Sequence, residues 1–207
     1  EVYRPDPSHA RIANAIKHEV SLALKLLTHL RAAVWGFRRP VDSVDQAILM
    51  LGDQGLRKWA SVVAMAMLGR DGPNELVVAS VMRASFCEGL LLEIGSRARA
   101  QDGFLVGLFS MIDAFLGLPL AEAVDRLPLW DDVRAALLGQ PGVLGDVYGV
   151  VLAWERGDWD EASRVAAALG VSDEAIGARY RSALEFADSM AAPRAGGGVT
   201  TPDALRL

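Results

Sequence analysis

The side chains best suited to metal binding or nucleophilic attack are few. They are three histidines (His9, His18, His29), one cysteine (Cys87) and two carboxylate groups, Asp131-Asp132 and Asp158 with Asp160 and Glu161. A metal centre needs imidazoles and carboxylates converging from packed elements. All three histidines lie within the first 30 residues, and His18 has only Glu19 beside it. No histidine follows His29, so a Ser-His-Asp or Cys-His arrangement requires the N-terminal segment to fold over a distant nucleophile. Cys87 sits in Arg83-Ala-Ser-Phe-Cys-Glu88, where the adjacent carboxylate raises a thiol pKa, so it reads as a buried, inert thiol. The carboxylate groups fall at helix starts, where capping and the helix dipole account for them. Neither GxxxxGK[ST] nor GxGxxG occurs, which removes the usual phosphate-cradling loops.

The elements that must carry these residues are helices. The chain has 207 residues, of which 32 are Ala and 28 Leu, both strong helix formers; only 3 are Thr. Nine prolines, with glycines between them, cut it into stretches of helical periodicity. The pattern predicts helices over 8–18, 21–35, 43–51, 53–68 and from Pro73 to about residue 100. It then predicts helices over 103–116, 120–126, 130–138, 143–156, 158–169 and 173–192, and no strand. The 103–116 stretch, almost wholly apolar and capped by Asp102, is expected to be the most buried. The fold class is therefore all-α, a multi-helix bundle of about ten helices. Residues 1–192 are expected to form a single domain, with 1–7 as a linker from a missing N-terminal domain and 193–207 as a disordered tail rich in glycine. Without an initial Met, the chain is expected to be a piece of something longer or a processed product.

Net charge −5 and scattered basic residues argue against nucleic-acid binding, which needs a basic face. The longest charge-free runs, 59–69 and 135–145, are 11 residues each. A membrane span needs roughly 18 or more. A lone cysteine and the lack of a leader pattern predict a cytoplasmic location. Trp154-Glu-Arg-Gly-Asp-Trp-Asp-Glu-Ala162 looks like the turn of a tetratricopeptide repeat, but no second copy lies about 34 residues away.

Several segments, in order, resemble HDOD domains, relatives of the HD phosphohydrolases. Val44–Trp59 is similar to that family's "SI..AI..LG...L..W", Glu19–Leu27 to "DP.LS.KLL", and Arg83–Glu88 to "RA.FCE". Gly103–Asp113 resembles "AFL.GLFSLLD", and Leu127-Pro-Leu129 resembles "LPL". Trp154–Trp159, with Tyr180 and Ala183-Leu184, is similar to the "YE.GDW…Y..AL" ending of proteins in which an HDOD domain follows an EAL domain. His18-Glu19-Val20 and Arg31-Ala32 depart from the family pattern, which bears on the partner surface and not on the fold. The resemblance covers about residues 10–190.

That resemblance implies an HD-like helical bundle without catalysis. In catalytic HD enzymes the helix matching 104–114 carries adjacent His and Asp metal ligands, in a pattern like "FL.GLLHDIGK". Ser110 and Met111 stand at those positions here, Ala114 at the Lys position, and Arg83 near an upstream metal histidine. Without a bound metal, no hydroxide nucleophile forms at neutral pH. Arg83 is then expected to supply the positive charge of the old site, paired with Glu88 or Asp113, so that Arg83, Glu88, Ser110 and Asp113 form a vestigial polar cluster. The function expected is a non-enzymatic regulatory module in cyclic-di-GMP-linked signalling. It needs no cofactor and no metal, and binds a protein partner, an adjoining EAL-type domain or a second copy of itself. Trp35, Trp130 and Trp159, near predicted helix ends, are the candidate contact surface. The rival readings are an HD-like metal phosphohydrolase with atypical ligands and a small-ligand-binding helical regulator.

Overall fold

The computed structural model describes residues 9–18, 26, 43–68, 74–127 and 129–191. Among them it holds ten α-helices and no strand. These are α1 (His9–His18), α2 (Val44–Leu68), α3 (Asn74–Glu93), α4 (Ala100–Phe109), α5 (Ile112–Leu116), α6 (Leu120–Asp125), α7 (Asp131–Leu137), α8 (Val143–Glu155), α9 (Trp159–Ala168) and α10 (Asp173–Ala191). The all-α expectation holds. The expected helix over 21–35 lies outside the described residues except for Leu26, which is fully buried.

Two of the expected helix limits are corrected. The helix opened by Pro73 stops at Glu93 instead of running to residue 100. There the Gly95 and Ser96 N–H groups turn back to the carbonyls of Leu92 and Leu91, and a 3-10 turn, Arg97–Arg99, follows. The expected 103–116 helix is two helices, α4 and α5, separated at Ser110-Met111. Hydropathy is uniform across this break and cannot signal it. At the break the Ser110 hydroxyl donates to the Gly107 carbonyl at 2.7 Å and shares that acceptor with its own N–H. Asp102 does not cap α4; it lies in the first turn and accepts from Arg99 Nε at 2.6 Å. In α2, Gly52 adopts φ 63° and ψ −175°, so two helical stretches meet there at a kink, as the glycine predicted.

The main core is built on α3 and α4. Phe86, Leu90 and Leu91 of α3 pack with Phe104, Leu108 and Phe109 of α4, and Val147, Val151, Ile176 and Ala183 close over them. The two central helices approach unusually closely. A Cβ at Gly107 would lie 2.4 Å from the backbone of Arg83 and Ala84, and one at Gly103 would lie 2.1 Å from Leu91. At Gly107 the obstacle is backbone, so only a residue without a side chain fits there. A smaller core joins α1 and α2 through Ile12, Ile16, Leu26, Ala47, Leu56 and Trp59.

Candidate functional site

The close crossing of α3 and α4 sets Arg83 opposite the end of α4. Its Nη1 donates to Ser110 Oγ at 3.1 Å. Its Nε and Nη2 donate to Glu155, the last residue of α8, with Nε 3.0 and 2.9 Å from the two carboxylate oxygens and Nη2 2.7 Å from Oε2. This side-by-side pairing is the strong form of the guanidinium–carboxylate contact. Both side chains are mostly covered, 18% and 19% exposed.

Two further groups, Cys87 and Tyr148, lie close to the guanidinium. Burial pushes the Cys87 thiol up to about 12, against the downward pull of the Arg83 charge, so it stays protonated and inert at neutral pH. Burial likewise raises the Tyr148 phenol, while Arg83 and Ser110 pull it back. The Arg83 guanidinium itself is held above the usual arginine value, because Glu155 outweighs the cost of burial. The result is one cation and one anion, ringed by hydroxyls and a thiol.

The expected four-residue cluster is therefore only partly brought together. Arg83 and Ser110 touch. Glu88 does not reach Arg83: five residues on, it points about 140° round the helix. Its carboxylate meets the Lys58 ammonium instead, and that ammonium also lies 5.5 Å from the centre of the Phe104 ring. Asp113 lies in the first turn of α5 and is not among the partners of the guanidinium. Glu155 is the partner that sequence reasoning missed. Its one signal was its place in the Trp154–Trp159 segment, whose spacing carried no charge logic. Among the described residues, no group of three or more His, Cys, Asp and Glu could hold a metal ion.

Of the three candidate surface tryptophans, Trp35 lies outside the described residues. Trp130 precedes α7 and is 49% exposed; Trp159 opens α9 and is 55% exposed. Trp159 is not isolated. It meets Trp154 edge to face at 4.7 Å, Trp154 lies 6.1 Å from Tyr180, and Tyr180 lies 5.5 Å from the buried Phe86. No described helix is long and apolar enough to cross a membrane.

Comparison with known proteins places this geometry in context. The sequence profile of the HDOD domain matches residues 1–123. The chain is 29% identical over 176 residues to the cyclic di-GMP phosphodiesterase CdgJ of Vibrio cholerae serotype O1, covering 85% of this chain and 41% of that protein. It is 30% identical over 193 residues to the uncharacterized protein YuxH of Bacillus subtilis, covering 92% of this chain and 46% of that one. The chain thus spans less than half the length of these curated relatives. No solved structure matches it.

Proposed function

This chain belongs to the HDOD domain family, and on that footing we propose that it is a non-catalytic signalling module linked to cyclic di-GMP. It binds a protein partner or an adjoining domain and turns over no substrate of its own. The cyclic-di-GMP link is supported by the likeness to CdgJ, a cyclic di-GMP phosphodiesterase. One observation carries the non-catalytic part: the Arg83 guanidinium reaches Ser110, a position where catalytic HD enzymes hold a metal ligand, and Glu155 neutralises it there. The Glu155 carboxylate is committed to Arg83, and a serine hydroxyl is a poor ligand, so the pair leaves a divalent metal no free anionic ligand there. Partner binding is supported by the Trp159–Trp154 pair, since a half-exposed tryptophan held against a second aromatic suits a contact hot spot. A cytoplasmic setting fits the single buried Cys87.

The test is hydrolysis of cyclic di-GMP and of bis-p-nitrophenyl phosphate by the purified chain with added Mn2+ or Mg2+. The reading expects rates equal to the protein-free blank. Turnover that rises with metal and is lost in Ser110→Ala would contradict it and restore the phosphohydrolase rival.

A further inference from the structure

Glu155 occupies an unfavourable place for a carboxylate. It ends the 13-residue helix α8, where the helix dipole is negative and favours a cation. Arg83 counters this and has itself given up most of its hydration to do so. Three residues, Arg156-Gly157-Asp158, then lead directly to Trp159. The turn is tight: Gly157 has φ 72°, and the Asp158 side chain accepts from the Glu161 N–H at 3.3 Å to start α9. Two links therefore connect α3 to this turn. One is the ion pair from Arg83. The other is the aromatic chain from Phe86 through Tyr180 and Trp154 to Trp159. Both start on α3, three residues apart, and both end at the turn that presents the exposed ring.

We propose that the Arg83–Glu155 pair is a releasable clasp on the turn that presents Trp159, so that engagement of Trp159 and opening of the pair are coupled. A partner that draws Trp159 off Trp154 pulls on the end of α8 and loosens the carboxylate from Arg83. By reciprocity, any change that opens the pair frees Trp159 to be engaged. The clasp regulates the contact face assigned above and in that respect rests on it. The test, however, uses the chain alone, so a missing partner and a missing clasp give different failures.

The experiment is 19F NMR of the chain labelled with 5-fluorotryptophan, each resonance assigned by a single Trp→Phe substitution. Glu155→Gln and Arg83→Met should each shift or broaden the Trp154 and Trp159 resonances and leave Trp59 and Trp130 in place. In the Glu155→Gln background, Arg83→Met should add nothing further at Trp159. If Arg83→Met does not fold, Arg83→Lys keeps the charge without the side-by-side pairing and should give the same selective change. Conversely, Trp159→Ala should speed solvent exchange of the Arg83 Nε–H by about tenfold through local opening. An unmoved Trp159 resonance in the Arg83 variants, or equal shifts at all the tryptophans, would overturn the clasp. So would unchanged Nε–H exchange in Trp159→Ala.

Discussion

Arg83 and Glu155, 72 residues apart in the chain, lie side by side with Nη2 2.7 Å from Oε2. The pair ties α3, within the segment matched by the family profile, to the end of α8, beyond it. Ser110, on the third side of the guanidinium, brings the end of α4 into the same junction. Arg83 is thus a joint between three helices.

Removing one partner of this pair leaves the other charged and poorly hydrated. Arg83→Met should cost roughly 3 kcal/mol. For a domain of this size that lowers Tm by about 6–12 °C, readable by calorimetry. An unaltered Tm would mean that the pair carries no structural weight.

A sharper prediction compares two glycines, one at the α3–α4 crossing and one in α8, that should respond oppositely to the same change. In Gly107→Ala the new methyl would lie 2.4 Å from the backbone of Arg83 and Ala84, and backbone cannot step aside cheaply. We expect a loss of about 3 kcal/mol or more. Gly149, inside α8, has nothing within 4 Å of its notional Cβ. Gly149→Ala should therefore stabilise by about 0.5–1 kcal/mol. Urea melts of the two variants against wild type read both signs.

How much of this was legible beforehand depends on the kind of interaction. Helices punctuated by proline and glycine, such as α2 with its kink at Gly52, announce themselves locally. The Arg83–Ser110 juxtaposition was suggested only because a family pattern placed both residues at one site. The α4–α5 break was invisible, since a hydroxyl among apolar residues changes hydropathy little. Glu155 was invisible for a different reason. Choosing it over Glu88 requires knowing which face of α3 looks toward α8, which is a property of packing between helices and not of either helix alone.

Cys87 predicts a pH effect of definite sign. Its folded pKa, about 12, lies above the ordinary value of 9.0. Protonation is thus favoured in the folded chain, and this contribution is fully present below about pH 9 and lost as pH climbs towards 12. Chemical denaturation at pH 8 and pH 10.5 should show wild type losing more stability than Cys87→Ala over that interval, by roughly 1.4 kcal/mol per unit above the unfolded pKa. Equal losses would mean that the native thiol ionises freely.

The family profile ends at residue 123, but the main core does not. Val133, Leu137, Val147, Val151, Ile176 and Ala183 all belong to it, packed with Phe86, Leu91 and Phe104. A chain ending at residue 123 should lack cooperative unfolding and bind a hydrophobic dye, whereas one ending at residue 191 should melt like the whole. A cooperative melt from the shorter chain would show that the C-terminal helices are an accessory.

The most direct measurement is affinity capture with the tagged chain from lysate of its native cell, run beside Trp159→Ala and quantified by mass spectrometry. The account predicts one protein recovered at near-stoichiometric yield by the wild-type chain and depleted in the variant, with both baits folded by circular dichroism. A partner held equally by both folded baits would contradict a binding module that works through this face, and recovery of background proteins alone would contradict a partner in trans.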